Sequence, residues 1–281
     1  MLAAAAGLLI LSAAAGPASF GASDVADCLG TKRFALNLGA LAAERATMSE
    51  AAWRDACRQS READGRRRRL VRSLHAGSKS SAAGYASTTK FVQQARAADD
   101  GAVRALYRHA ARDQAARESL GRTEKASFAP GAPPIVLRLV DGLSSADAVA
   151  ADAANRTWLG TVVARRGWFK ISRDGEAADR AARLLVQHAD ADPAFQRAML
   201  EVLEPLAATG ETDARLFAFT YDRWAMNAGR PQRYGIMGDC TGPGRWTPRP
   251  IEDETRLGER RRTAGLPPMA QHQAERASAC P

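Results

Sequence analysis

Apolar residues in this chain recur every three or four positions, in runs bounded by residues that start and stop helices. Phe195, Met199, Val202, Leu203 and Leu206 follow Asp192-Pro193, where proline lacks the N–H that a first helical turn leaves unpaired anyway, and Gly210 closes the run. Val103, Leu106, Tyr107 and Ala110 predict a helix over about 103–120, and Phe217, Tyr221 and Trp224 another over about 212–227. Ala178, Ala181, Leu185 and His188 share a stripe after a turn from Gly167 to Asp174, with Asp174 expected as its cap. Aromatics are only 6% of residues, while Ala, Leu and Val carry most of the apolar content, which favours closely packed helices over sheets. The fold class expected is mainly α, a multi-helix globular domain.

The rest of the chain is organised around this domain. Apolar spacing predicts helices near 31–45 and 49–75, the second capped by Ser49 and running into Arg66-Arg67-Arg68-Arg69. That arginine run reads as a solvated helix face, with phosphate or polyanion binding as the alternative. Gly77 to Thr89 reads as loop or linker. After a break from Ala129 to Pro134, helices are expected over 134–143 and 146–165 with Ser144 or Ser145 capping between them, although Ile135 to Val140 is β-branched enough for a strand. Gly229 to Pro250 is dense in Gly and Pro and predicts a long irregular loop of the kind that often covers a site. A helix over 252–263, closed by Gly265 and Pro267-Pro268, and a helical tail to Ala277 complete the chain. The expected division is 1–21 export signal, 22–100 N-terminal helical section with linker, and 101–281 helical domain.

Leu2 to Ala15 is apolar and small, too short to span a bilayer, which takes roughly 20 residues, but about the length of a signal core. No Lys or Arg precedes it, cleavage sites are available after Ala15, Ala18 or Gly21, and the alternative is a buried N-terminal helix. Val25-Ala26-Asp27 ahead of Cys28 is not a lipid-attachment pattern, so the mature protein is expected without an anchor, in the periplasm or secreted. Four cysteines suit an oxidising compartment and allow three pairings, of which Cys28 with Cys57 and Cys240 with Cys280 are expected; four free thiols in a cytosolic protein are the alternative. No zinc-type Cys or Cys/His spacing is present, and neither metal nor cofactor is expected. The formal net charge of +9, dominated by Arg, reflects coding bias in part and otherwise suits an anionic partner, while nucleic-acid motifs are absent from the sequence.

Several polar strings interrupt the apolar stripes: Arg112-Asp113-Gln114 with Arg117, Gly167-Trp168, Gln187-His188-Ala189-Asp190 before Asp192-Pro193-Ala194-Phe195-Gln196, Asp222-Arg223, Gly229 with Gln232-Arg233-Tyr234-Gly235, and Arg260-Arg261 before Gly265-Leu266-Pro267-Pro268. In order and spacing, from about 103 to 273, they resemble the bacterial family catalogued as domain of unknown function 6624. The resemblance implies a helical domain in which these motifs are gathered, and it carries no established reaction. Ile236 and Met237 stand where the family commonly has Thr and Gln, so any role of those two polar side chains is weakened or lost here.

His188, on an otherwise apolar stripe, is the candidate general acid or base; the bland reading is a hydrogen-bonded structural histidine. Asp190 and Asp192 do not share its helical face, and HExxH and GxSxG patterns are absent. A two-carboxylate hydrolase would pair Asp113 with Asp222 or Glu118. Asp113 and Arg117, at i and i+4, suit an ion pair. With Asp222, Arg223, Gln232 and Tyr234 they form either a buried polar network or a pocket for a small anionic or sugar-like ligand. The leading expectation is an exported helical binding protein with such a pocket; the alternative is a periplasmic hydrolase using His188 or an Asp.

Overall fold

The computed structural model describes residues 20–76, 84–120 and 128–281. Residues 1–19 of the expected export signal and most of the expected Gly77–Thr89 linker lie outside the described residues. Helices α1 (Ala22–Leu29), α2 (Leu38–Arg45), α3 (Glu50–His75), α4 (Ala86–Ala97), α5 (Gly101–Glu118), α6 (Pro134–Arg166), α7 (Ile171–Asp174), α8 (Glu176–Gln187), α9 (Pro193–Ala208) and α10 (Ala214–Asn227) precede a hairpin, β1 (Gly238–Gly242) and β2 (Arg245–Pro248), and two last helices, α11 (Leu257–Thr263) and α12 (Met269–Ala277). The protein is mainly α, and the caps read from sequence operate at two helices: Ser49 accepts from the Ala52 amide and Asp192 from that of Phe195.

Elsewhere tertiary contacts override local signals. The helix expected over 31–45 covers only Leu38–Arg45, because Gly30, at φ +66°, ends an unexpected α1 and Asn37 caps α2 afresh. The expected loop to Thr89 gives way at Ala86. Tyr85 offers no side-chain cap there; the carboxylate of Glu118, from α5, accepts the Ser87 and Thr88 amides at 2.8 and 3.1 Å instead. The two helices expected over 134–165 are one. Buried Ser144 donates to the carbonyl of Val140 rather than capping a new turn, and the strand alternative for Ile135–Val140 is helix as well. Asp174 does not cap α8, whose first turn is preceded by Gly175; its carboxylate takes Arg166 at 2.7 Å and Arg173 at 2.8 Å. The segment expected to be irregular from Gly229 to Pro250 contains the β1–β2 hairpin, and the helix expected from 252 begins at Leu257.

Two apolar cores share α6. Its first half, Ile135 to Leu143, packs with Val25, Leu29, Leu41, Trp53 and Leu74 from α1–α3. Further along, Leu159 and Val163 join Leu106, Trp168, Phe169, Leu185, Leu203 and Trp224. Helix α4 contributes Phe91 and Val92 to this second core. The arginine run is largely committed to the fold: Arg66 donates to the Phe128 carbonyl, and Arg67, 2% exposed, pairs with Asp64 and, across to α6, with Asp147. Disulfides Cys28–Cys57 and Cys240–Cys280 tie α1 to α3 and the C-terminal tail to the hairpin. Among the described residues no helix is long and apolar enough to cross a membrane.

Candidate active site

Helices α5 and α6 meet along a polar seam. On α5, His109, Asp113 and Arg117 succeed one another at intervals of four, so one face carries all three. On α6, Asp152 and Asn155 continue the stripe of Leu159 and Val163 and face them. His109 Nδ1 lies 2.8 Å from the Asn155 side-chain oxygen and its ring stacks on Trp158. Arg117 bridges the two helices, donating to Asp113 at 2.7 Å and to both oxygens of Asp152 at 2.9 and 3.0 Å.

Asp113 is fully buried and serves three donors. Arg117 meets Oδ1, Gln114 donates to Oδ2 at 2.7 Å, and Nδ1 of His188 stands 3.0 and 2.9 Å from Oδ1 and Oδ2. A carboxylate so occupied only accepts, so Nδ1 carries the proton and Nε2 is left with its lone pair. No hydrogen bond among the described residues engages Nε2, and the His188 side chain is 12% exposed. Burial pushes the Asp152 pKa up, against the pull of Arg117 and with the help of the Asp113 charge. Of the nearby carboxylates, Asp113 is the one in hydrogen-bond contact with the imidazole.

The turn from α8 into α9 holds His188 in place. It follows the last residue of α8, its amide bonded to the Leu184 carbonyl at 3.1 Å. Fully buried Gln196, one turn into α9, donates back to the carbonyls of Val186 and Gln187 and to Asp190. Asp190 in turn receives Arg223 and, at 2.7 Å, Asn227 from α10. Burial would raise the Asp190 pKa, and the Arg223 pair outweighs it, so the net shift is downward. The string from Gln187 to Gln196 is thus a clamp, in which the side chains of Asp190, Asp192 and Gln196 fix the turn that presents the imidazole.

Asp222, Gln232 and Tyr234 belong to a separate set. Asp222, adjacent to Arg223 in sequence but turned the other way, accepts the amides of Arg233, Tyr234 and Ile236 at 2.8, 3.0 and 2.9 Å. Burial raises its pKa to about 6, opposed by those amides and by Arg261. Gln232 donates to the carbonyls of Met237 and Arg249 and accepts the Met237 amide, which folds the loop on itself. Arg261 is 1% exposed and reaches the Tyr234 carbonyl at 2.6 Å. Tyr234 packs edge-on against Phe217 and Tyr221 and lines a cavity of about 500 Å³ with Arg233, Arg260, Glu204 and Glu252. Glu118 is occupied as the cap of α4, so the carboxylate at hand to Asp113 is Asp152 rather than Glu118 or Asp222.

Sequence reasoning missed Asp152, Asn155 and His109. The signal was present: Asp152 and Asn155 stand at i and i+3 on the stripe that ends in Leu159 and Val163, and His109 is one turn before Asp113. Among the described residues no group of three or more His, Cys, Asp or Glu side chains is placed to hold a metal ion.

Fold and site define a mainly helical protein that holds a histidine, partly exposed to solvent, against a buried aspartate. The family of unknown function DUF6624 matches residues 112–276, and the chain belongs to that family. That span begins at Arg112 in α5 and includes both polar sets except His109. No curated protein and no solved structure matches the chain.

Proposed function

We propose that the protein is an exported hydrolase in which His188 is the general base and Asp113 the residue that orients it. The single observation carrying this reading is the Asp113–His188 contact at 2.9 Å with Nε2 unbonded among the described residues. In the proposed step Nε2 takes a proton from water as the water oxygen attacks the substrate. The Asp113 carboxylate stabilises the imidazolium so formed, and the proton then passes to the leaving group. Arg117 pairs with the dyad's carboxylate, and Arg223 with Asp190 of the turn that carries His188, so both hold the dyad in place. Export is supported by the two disulfides, which persist in oxidising compartments, and by the apolar opening of the chain.

The test is a panel of chromogenic carboxylic esters, phosphate esters and glycosides, assayed from acid to neutral pH. At least one class is expected to turn over, with a loss of about 10²–10⁴-fold in His188→Gln and a comparable loss in Asp113→Asn. No turnover across the panel, or turnover that survives His188→Gln, overturns the reading.

A second reading, a binding protein for a sugar-like ligand, is favoured by the cavity beside Tyr234, where tyrosine and phenylalanine rings meet charges of both signs. Sugar titration followed by tryptophan fluorescence tests it. Binding should weaken about tenfold or more in Tyr234→Ala, and binding indifferent to that change would remove the cavity from consideration.

A further inference from the structure

The opposite side of α5 carries a different chemistry. Arg104, Arg108 and Arg112 follow at intervals of four and, with Arg96 of α4 and His75 at the end of α3, line a cleft of about 600 Å³. None of the described residues that line it is acidic. On an ideal helix Arg108 and Arg112 lie at least about 100° around from Asp113 in one direction and Arg117 lies beyond it, so cleft and dyad face different ways.

The arginines of the cleft are unlike most others in the protein. Arg117, Arg166, Arg223, Arg233 and Arg249 each meet a carboxylate. In the cleft, Arg96 donates to the Ala76 carbonyl and Arg104 to that of Ala98, which closes the ends of α3 and α4 but neutralises no charge. Arg108 and Arg112 make no hydrogen bond or ion pair among the described residues, and both are exposed. Like charges one turn apart on a helix repel weakly, and an anion across the row relieves that repulsion. His75 adds a ring nitrogen, Nε2, that is buried without a hydrogen bond of ordinary geometry.

We infer that this cleft is a binding site for a phosphorylated ligand that presents two neighbouring phosphoryl groups, within one molecule or as adjacent headgroups of a lipid surface. Each free guanidinium offers a planar fork of N–H donors that matches phosphoryl oxygens, and two forks one turn apart suit two such groups better than one carboxylate. The site lies between the N-terminal helices and the first helix of the family-matched region, and accounts for Arg112, which the dyad does not use. It stands independently of the hydrolase reading, since no residue of the dyad lines it.

Titration calorimetry of the full chain with pyrophosphate in about 20 mM salt tests the site, and vesicles of phosphatidic acid against phosphatidylcholine separate a lipid headgroup from a free ligand. Wild type should bind pyrophosphate, or fail to do so and float with the phosphatidic acid vesicles alone. In either case R108Q/R112Q should lose at least about tenfold in affinity, R108K/R112K should fall between, and R262Q, an exposed arginine of α11, should bind as wild type. His188→Gln should leave this binding unchanged whether or not it abolishes hydrolysis. Absence of both pyrophosphate and vesicle binding, equal binding by R108Q/R112Q, or loss in His188→Gln overturns the inference.

Discussion

Asp222 shows how a single carboxylate can be structural in one state and costly in another. It replaces three lost water contacts with three loop amides, yet burial still raises its pKa to about 6. The folded state therefore holds a proton that the unfolded chain, near 3.8, releases sooner. The proton linkage of this group contributes stability that is fully present below about pH 3.8 and is lost as pH rises through about 6. In Asp222→Asn an amide group must turn its own donors toward Tyr234 or Ile236, at a cost of about 1–3 kcal/mol. Urea denaturation of both proteins across pH 3 to 7 should show the wild type's advantage shrinking as pH rises from about 4 to 6. A flat difference would mean that Asp222 stays ionised throughout.

Among the elements, α6 carries the clearest conflict between local preference and packing. Glycine in a helix interior is worse than alanine by about 1 kcal/mol, so Gly142→Ala ought to stabilise a helix taken alone. In the protein a Cβ at 142 would stand 2.6 Å from Leu36 Cδ2 and 2.9 Å from Cδ1, where the chain between α1 and α2 crosses α6 and the Ala35 amide bonds the Gly142 carbonyl at 2.9 Å. Gly142→Ala is expected to destabilise by about 1–3 kcal/mol, read as a lower urea midpoint; a raised midpoint would show that the crossing segment yields. The same helix explains why the dyad eluded a reading of α5 alone. Asp113 and Arg117 look like a closed ion pair along one helix, and only Asp152, arriving from α6, draws Arg117 outward and leaves room for His188 on the same carboxylate.

At the scale of the molecule, the two cores meet along α6, and each disulfide serves one end. Cys28–Cys57 closes a loop across a sequence separation of 29 residues within the first core. Chain entropy assigns such a crosslink about 3–4 kcal/mol. Cys28→Ser with Cys57→Ser should therefore open the first core before the second: limited proteolysis is expected to cut first between α1 and α3 while the α8–α10 region stays protected. Simultaneous loss of protection in both would show that α6 couples the cores into one cooperative unit.

The sequence alone was enough for the helical class, the caps at Ser49 and Asp192, the C-terminal helices and the two cysteine pairs, because these rest on spacing along the chain and on residues with few conformational options. It also marked Asp113, Arg117 and His188 as polar where an apolar face was due. What only the tertiary structure decided is which polar residues share a partner. Glu118 caps a helix from another part of the chain, Arg223 turns to Asp190 while its neighbour Asp222 pins a loop, and Asp152 completes the seam at Asp113. The physical reason is that a buried charge takes whichever partner removes it best from an unsatisfied state, and that partner is set by how helices cross in space rather than by distance in sequence.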